Sequence, residues 1–304
     1  MRASVVIPTY NRLLDLQRTV AAVRAQEVPP DVEFEIVAVD DGSTDGTNEW
    51  LQSEEDRCSD LRVLHQRNSG PAGARNRGVE AASGSIVLFL GDDTVPQPGW
   101  LLTHLEEHRI SEDSCGTAVL GYTSFPPETD SPFLRWINEN GAQFGYRLIE
   151  SPNSVPFNFF YTSNISLPRA WLMRLGGFRE DFPAAAWEDI EFAYRATKDG
   201  MNLRYQPRAR TLHYHRIRAG TFCRRQRTSG LSAAIFAGLH PELEGFLGVA
   251  RVGQNRRRRP LCRALLSMLV GIGELVEGAV PPRVYLEYLD SCYLDGLAEG
   301  LHQS

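Results

Sequence analysis

The sequence contains little cysteine. Five cysteines are scattered through 304 residues, and no two of them form a CxxC pair (Cys58, Cys115, Cys223, Cys262 and Cys292). A structural zinc site usually needs closely spaced pairs, and a disulfide framework usually needs an even number of cysteines. We therefore expect neither, and the pattern fits a chain that stays reduced in the cytoplasm.

Long apolar runs are also absent. The longest apolar stretch, Ala264–Val280, contains Glu274 and Glu277, and it is shorter than the roughly 20 apolar residues of a membrane-spanning helix. Met1 leads directly into a strand-like run, without the charged and apolar regions of a secretory signal. The sequence thus predicts neither a membrane span nor a signal peptide, and it favours a cytoplasmic protein.

Basic residues do not exceed acidic ones. The chain has 32 Lys and Arg against 38 Asp and Glu, a net charge of −6, which argues against a general nucleic-acid-binding protein. One basic cluster stands out, the four arginines Arg256–Arg259, which precede Leu261 and Leu265. This stretch either makes a peripheral contact with an anionic membrane on its cytoplasmic face or forms an ordinary solvated helix face.

From Met1 to Ile110 the chain alternates between strand-like and helix-like segments. Short apolar runs predict strands at Ala3–Ile7, Phe34–Val39, Leu61–His65 and Ile86–Leu90, and helical spacing predicts helices at Arg12–Gln26 and Gly73–Ala82. Such alternation is typical of an α/β fold with a mostly parallel sheet flanked by helices. Further along, we expect a strand at Thr117–Gly121, a helix at Trp187–Lys198, a loop and then a helix in Gly220–Gly238, and a helical stripe in Val284–Leu301.

Polar residues follow the predicted strands, and the clearest case is the pair Asp92 and Asp93 after the apolar run Ile86–Leu90. Open α/β sheets bind ligands at the carboxyl ends of their strands. Two carboxylates at that edge suit Mg²⁺ or Mn²⁺ together with bound phosphates. Taken alone, these residues fit a solvated Asp-Asp turn better than a metal site, and the rest of the chain decides between the two.

Five motifs resemble those of the family 2 glycosyltransferases. They are VVIPTYNR (Val5–Arg12), VDDGSTDGT (Val39–Thr47), NSGPAGARNRG (Asn68–Gly78), FLGDDTVPQPGW (Phe89–Trp100) and WEDIEFAYR (Trp187–Arg195). Any one of them is a weak signal, whereas all five in the family's order and spacing are specific. The resemblance implies a GT-A fold, which is Rossmann-like, a nucleotide-diphosphate sugar as donor, and transfer with inversion of the anomeric configuration.

The resemblance implies that residues 1–115 form the nucleotide-sugar-binding half of the domain. Positions that match the family's nucleotide-binding residues are Pro8, Thr9, Tyr10, Arg12, Asp41, Arg75 and Asp92. Asp41 can only accept a hydrogen bond, which suits the imide N–H of uracil or thymine and favours UDP or dTDP. The local alternatives are that Asp41 merely starts a turn and that Arg75 is a solvated helix residue.

The pair Asp92-Asp93 stands in place of the family's DxD element, with Gly91 where the first aspartate would be. The resemblance implies that Asp93 ligates Mn²⁺ or Mg²⁺ and that Asp92 faces the ribose or a metal-bound water. His213 lies where some members supply another metal ligand, and we prefer it to His215. The alternative for His213 is a structural role.

The pair Glu188-Asp189 matches the family's acidic pair, with Asp189 at the position of the general base. An inverting transfer needs a base on the acceptor hydroxyl, and apolar neighbours such as Trp187 and Phe192 would raise the basicity of that carboxylate. Without the family context, Glu188 and Asp189 are simply favourable first-turn acids of a helix.

The same resemblance assigns acceptor binding to Thr162, Ser163 and Trp187. It makes residues 116–225 the acceptor-binding and catalytic half and residues 226–304 a helical C-terminal extension. Two other functions stay open: a catalytically inactive nucleotide-sugar-binding module, and a nucleotidyltransferase, although the latter would want a glycine-rich loop after the first strand. The acceptor, whether glycan, lipid-linked, small-molecule or protein, the donor sugar and the oligomeric state do not follow from the sequence.

Overall fold

The computed structural model describes residues 1–110, 116–182, 186–215, 217–252, 260–276 and 278–303. The chain divides into two compact units. The first unit comprises Met1–Pro126, Ile149–Asp181 and Glu188–His215, and the second comprises Pro127–Leu148, Phe182–Trp187 and Arg216–Ser304. The arginine run Arg256–Arg259, for which we considered a membrane contact, lies outside the described residues.

Eight strands of the first unit form one sheet. They are β1 (Arg2–Thr9), β2 (Glu33–Asp40), β3 (Leu61–His65), β4 (Ile86–Leu90), β5 (Thr94–Pro96), β6 (Thr117–Ser124), β7 (Asn164–Pro168) and β8 (Asn202–His213). Their spatial order is β3-β2-β1-β4-β7-β6-β8-β5. The strands β3, β2, β1 and β4 pair in parallel, and Val5 lies opposite both Ile36 and Leu88. The strand β7 runs antiparallel to β4 and β6, while β8 is parallel to β6 and antiparallel to β5.

Helices flank this sheet in the first unit. They are α1 (Leu13–Arg24), α2 (Thr47–Arg57), α3 (Gly70–Ala81), α4 (Trp100–Ile110), α6 (Arg169–Arg174) and α7 (Glu188–Lys198). In α1, the residues Leu16, Val20 and Val23 share one face because of their helical spacing, and all three are buried in the core beside β1 and β4. All five residues of β4 are buried, as expected for a strand covered on both sides. The predicted α/β sheet flanked by helices is therefore confirmed.

The second unit is helical. It contains α5 (Pro132–Glu139), α8 (Ala219–Leu239), α9 (Glu244–Leu247), α10 (Pro260–Leu275) and α11 (Pro282–Gln303). The loop that we predicted at the start of Gly220–Gly238 is wrong, because α8 already begins at Ala219. The hydroxyl of Thr221 accepts a hydrogen bond from the Arg218 N–H at 3.2 Å and so caps the helix ahead of Gly220. No described helix has both the length and the apolar character needed to cross a membrane.

A disulfide joins two helices of the second unit. Cys223 on α8 is bonded to Cys292 on α11, with the Cα atoms 5.8 Å apart. Our expectation that the cysteines are reduced is wrong for this pair, whereas Cys58 and Cys262 are free. The two bonded residues are 69 positions apart, and only the packing of α8 along α11 brings them together. A local spacing rule therefore had no means of finding the bond.

Candidate functional site

Loops that follow different strands of the first unit meet at the carboxyl edge of the sheet. Thr9, at the end of β1, donates from Oγ1 to Asp92 Oδ2 after β4 at 2.9 Å. Asn11 donates from its backbone N–H to Ser43 Oγ after β2 at 2.8 Å, and its Oδ1 accepts from the Thr44 N–H at 2.7 Å. Asn11 has a φ of 53°, a left-handed conformation that asparagine tolerates well. The polar loops after β1, β2 and β4 are thus held in one place by their own side chains.

Asp41 fixes the loop before α3. Its Oδ1 accepts hydrogen bonds from the Ser69 N–H at 2.8 Å and from Gln66 Nε2 at 2.7 Å, and its Oδ2 accepts from the Gly70 N–H at 2.9 Å. The side chain is buried, with 4% of its surface exposed. Because an ionised carboxylate has about four lone-pair positions, Oδ2 retains acceptor capacity while the protein sets its orientation.

Asp93 lies among three basic side chains. Arg12 Nη1 donates to Asp93 Oδ2 at 2.8 Å, His213 Nε2 lies 3.2 Å from Oδ1, and His215 Nδ1 lies 3.5 Å from Oδ2. The ladder between β5 and β8 brings them together, since Thr94 lies opposite His213. Burial acts to raise the pKa of Asp93, but His213, followed by His215 and Arg12, holds it well below the usual range.

The pKa of Asp92 is shifted in the opposite direction from that of Asp93. Burial, together with the negative charge of Asp93, raises the pKa of Asp92 to about 7, against the pull of Arg12 and Thr9. Its backbone carbonyl accepts a hydrogen bond from Thr19 Oγ1 on α1 at 2.9 Å. The two adjacent carboxylates therefore differ in charge at neutral pH, and Asp93 carries most of the negative charge.

Gly91 occupies a tight position before this pair. A Cβ atom placed on Gly91 would lie 2.7 Å from Thr94 Oγ1 and 3.3 Å from Asp93 Oδ1. A first aspartate at this point would require Thr94 to move. The absence of that carboxylate is thus matched by the local packing around Thr94.

Among the described residues, no group of three or more His, Cys, Asp or Glu has the arrangement of a ready metal site. Asp93, His213 and His215 nevertheless lie side by side, and the rings of the two histidines stack with their centroids 5.7 Å apart. One carboxylate and two imidazole nitrogens form a donor set that suits a transition-metal ion such as Mn²⁺ better than Mg²⁺, which prefers oxygen ligands. His215, which we ranked below His213, lies against the same carboxylate. The signal in the sequence was the closeness of the two histidines in the run His213–His215, since His215 lies two positions beyond the end of β8.

The second acidic pair begins α7. Glu188 is 2% exposed, and its Oε1 accepts from Arg75 Nη1 at 2.8 Å. Arg75, expected near the nucleotide, comes from α3 and is 9% exposed. Arg75 Nε and Glu188 Oε2 are buried and make no hydrogen bond with another described residue. This buried ion pair joins α3 to the start of α7.

Both carboxylate oxygens of Asp189 accept hydrogen bonds. Its Oδ2 lies 3.3 Å from both the N–H and the Oγ1 of Thr162, and its Oδ1 accepts from the Ile190 N–H at 2.9 Å. Burial, followed by the charge of Glu188, raises the pKa of Asp189 to about 7, while Arg75 opposes the rise. Asp189 is thus a carboxyl group that is held in place by Thr162 and the Ile190 N–H and whose pKa is raised by burial.

The segment before β7 connects the two acidic pairs. Thr162 binds Asp189, and the next residue, Ser163, accepts a hydrogen bond from the Gly91 N–H at 3.4 Å through its carbonyl. Asn164 anchors this segment, since its Oδ1 accepts from Trp100 Nε1 at 2.7 Å and its Nδ2 donates to the Ala209 carbonyl at 3.0 Å. The hydroxyl of Ser163 is buried and has no hydrogen-bond partner among the described residues.

The other predicted site residues are placed as follows. Pro8 lies within β1 opposite Val39, and Tyr10 is 48% exposed. Trp187 belongs to the second unit, where its indole N–H donates to the Ser229 carbonyl at 2.9 Å. Its φ of 75° is unusual for a bulky residue and stores strain of about 1–3 kcal/mol directly before α7.

The chain matches known proteins over most of the first unit. The model of a family described as Glycosyl transferase family 2 matches residues 4–168. A validoxylamine A glucosyltransferase of Streptomyces hygroscopicus subsp. limoneus is 34% identical over 228 residues, which cover 66% of this chain and 49% of that protein. The chain therefore spans about half the length of this relative.

Two solved structures have a similar fold. The mannosyltransferase PcManGT from Pyrobaculum calidifontis, in complex with GDP-Man and Mn²⁺, superposes with a TM-score of 0.65 at 19% identity and covers 99% of this chain and 87% of that one. S. aureus TarS 1-349 in complex with UDP-GlcNAc gives a TM-score of 0.57 at 19% identity and covers 100% and 91%. At such identities the likeness concerns the fold, which is of the GT-A kind.

Proposed function

This chain belongs to glycosyltransferase family 2, and from that premise we propose that it transfers a sugar from a nucleotide-diphosphate sugar to an acceptor hydroxyl with inversion at the anomeric carbon. The observation that carries the proposal is one chain of contacts. Asp189 bonds to Thr162, Ser163 bonds to Gly91, and Gly91 precedes Asp92 and Asp93. A candidate base and a candidate diphosphate site thus share one edge of the sheet.

Asp41 supports a pyrimidine donor. Its carboxylate is oriented by the backbone N–H groups of Ser69 and Gly70, and it can only accept a hydrogen bond when ionised. The imide N–H of uracil or thymine is a matching donor, so we propose UDP or dTDP as the nucleotide. Adenine offers Asp41 no ring N–H of this kind, so the carboxylate disfavours an adenine nucleotide.

Asp93, His213 and His215 would hold the divalent ion, for which we propose Mn²⁺ over Mg²⁺ because two of the three groups are imidazoles. Such an ion neutralises the charge that accumulates on the departing diphosphate. Arg12 donates a hydrogen bond to the carboxylate of Asp93. Its guanidinium is suited to bind a phosphate oxygen once the nucleotide is bound.

Asp189 is the proposed general base. A single in-line displacement requires that the acceptor hydroxyl lose its proton as it attacks from the face opposite the leaving group. Thr162 and the Ile190 N–H hold Asp189 in one orientation, and a pKa of about 7 matches a base that works near neutral pH. These features support an enzyme over an inactive binding module.

The test is the variant Asp189→Asn, which keeps the shape and the ability to accept from the Ile190 N–H. We expect transfer or donor hydrolysis to fall by about 10²–10⁴-fold, the usual worth of a positioned base, with UDP affinity unchanged. The rate is measured as UDP release at saturating donor, after a screen of nucleotide sugars with Mn²⁺ and Mg²⁺.

The matched control is Glu49→Gln, a first-turn acid of α2, which should leave the rate unchanged. A near-native rate for Asp189→Asn would refute the assignment of the base. Melting curves of both variants show whether a lost rate reflects lost chemistry or lost folding.

A further inference from the structure

A tight turn at residues 161–164 presents Thr162 to the carboxylate of Asp189. The Asn164 N–H donates to the Tyr161 carbonyl at 3.1 Å and closes this turn directly before β7. Thr162, one of the two central residues, donates to Asp189 Oδ2 from both its N–H and its Oγ1. The orientation of Asp189 therefore depends on what holds the 161–164 turn in place.

The side-chain amide of Asn164 anchors the end of this turn. Its Oδ1 accepts from Trp100 Nε1 at 2.7 Å, and its Nδ2 donates to the Ala209 carbonyl at 3.0 Å. Because a carbonyl oxygen can only accept, the second bond fixes which way the amide faces. A Cβ atom on Gly121 of β6 would lie 2.4 Å from Asn164 Nδ2. The strand β6 thus has a glycine where a side chain would push this amide away.

His104 of α4 is a further partner of the same amide. Its ring is fully buried, with Nε2 at 3.0 Å from Asn164 Oδ1 and Nδ1 at 2.9 Å from Ser166 Oγ. Since Asn164 Oδ1 carries no hydrogen, the ring bears its proton on Nε2 and donates it there, and Nδ1 accepts from the Ser166 hydroxyl. Burial lowers the pKa of His104 to about 4, so the ring keeps this neutral form at neutral pH.

We propose that His104 is a positioning residue for Asp189, acting through Asn164 and the 161–164 turn. The inference rests on the proposed role of Asp189 as the base. The Nε2–H of His104 orients the Asn164 amide, and the anchored turn holds Thr162 against the carboxylate. Hydrogen bonds from Thr162 favour the ionised form of Asp189. A loosened turn therefore raises the pKa of Asp189 and misplaces the carboxylate.

A matched pair of variants at position 104 tests this role. Because glutamine has one more carbon than asparagine, its side-chain amide reaches the position of Nε2, whereas that of asparagine reaches the position of Nδ1. His104→Gln therefore keeps a donor to Asn164, whereas His104→Asn keeps only the acceptor that faces Ser166. The control Ser166→Ala removes the other hydrogen bond of the ring.

The first readout is the pKa of Asp189, measured by NMR titration of its ¹³C-labelled carboxyl carbon, with Asp189→Asn to assign the signal. We expect a rise of at least about half a unit in His104→Asn, and the parent value in His104→Gln and Ser166→Ala. The other ionisable groups that face Asp189 are the same in these three variants (Glu188, Arg75 and Tyr161). The second readout is UDP release, for which His104→Asn should lower kcat about ten- to a hundredfold with an unchanged KM for the donor.

An unchanged pKa and kcat in a folded His104→Asn variant would overturn the proposal. An equal change in His104→Gln or Ser166→Ala would also overturn it, because it would indicate a general loss of packing. Should His104→Asn not fold, Trp100→Phe carries the same test, since it removes another N–H donor to Asn164 Oδ1. The pKa of Asp189 should rise there too, and an unshifted value would contradict the proposal. Because the titration needs no turnover, a full transfer rate for Asp189→Asn would refute the base separately from the positioning role.

Discussion

At the scale of single residues, the chemistry of Asp189 depends on two charged neighbours. Glu188 precedes it in the sequence, and Arg75 on α3 forms an ion pair with Glu188 across 113 positions of sequence. After burial, the charge of Glu188 is the next cause that raises the pKa of Asp189, and Arg75 opposes it. In the proposed reaction, this ion pair would therefore adjust the basicity of Asp189 through its charges.

We predict that Glu188→Gln moves the acid limb of the pH–rate profile to lower pH by about 1 unit. The base works only when deprotonated, and removing the neighbouring negative charge makes deprotonation easier. Arg75, now without its carboxylate partner, acts in the same direction. The measurement is the UDP release rate across pH 5–9 at saturating donor. The control is Asp199→Asn, beyond the other end of α7. An unshifted acid limb, or one moved to higher pH, would contradict this role for Glu188.

A second prediction at this scale concerns the proposed metal ligands. His213→Ala should weaken Mn²⁺ binding in the presence of UDP by at least about tenfold, since removing even an outer-shell partner commonly costs that much. Asp93→Ala should abolish it. Titration of Mn²⁺ followed by electron paramagnetic resonance gives the affinity directly. The control is His302→Ala, which changes an exposed histidine near the end of α11. Equal Mn²⁺ affinity in the parent and in all three variants would contradict the assignment of His213 and Asp93 as metal ligands.

At the scale of elements, the contact between α8 and α11 depends on glycine. A Cβ atom on Gly296 would lie 1.8 Å from the Arg227 carbonyl oxygen, and one on Gly230 would lie 2.0 Å from that of Tyr293. The backbones of the two helices approach each other more closely there than any side chain allows. The Cys223–Cys292 disulfide lies along the same contact.

We predict that Gly296→Ala destabilises the protein by at least about 1–3 kcal/mol, the usual cost of overpacking, because two helix backbones must separate. Gly238→Ala is the matched control. It also lies in a helix of this pair, and a Cβ atom added there would meet nothing within 4 Å, so alanine should stabilise by about 0.5–1 kcal/mol. Urea unfolding measures both. Equal stability of the two variants would mean that the close approach is not required.

The strands β1 to β4 and the helices α1 and α3 were predictable because their signals are local, whereas the short strand β5 was not predicted. Leu16, Val20 and Val23 show the period of a helix, and Ile86–Leu90 shows a continuous apolar run. The start of α8 was not predictable from the glycine at position 220, since the Thr221 cap compensates for it. The insertion of β7 between β4 and β6 also left no local trace.

At the scale of the whole molecule, the sequence singled out candidate site residues but did not show which of them are in contact. The motifs singled out Arg75, Glu188 and Asp93, but not the Arg75–Glu188 pair or the position of Arg12 on Asp93. Such contacts depend on the order of strands in the sheet, which brings distant segments together. The disulfide was missed for a related reason, since it depends on how two helices pack.

The chain belongs to glycosyltransferase family 2 and has a GT-A fold. The proposed mechanism is an inverting displacement assisted by Asp189. The most direct measurement is the anomeric configuration of the first product. Real-time NMR follows the reaction with an accepted nucleotide sugar, using either the new linkage or, with water as acceptor, the free sugar before it mutarotates. We predict a configuration opposite to that of the donor, since one in-line attack inverts the anomeric carbon. Retention of the donor's configuration would contradict the mechanism even though the fold is right.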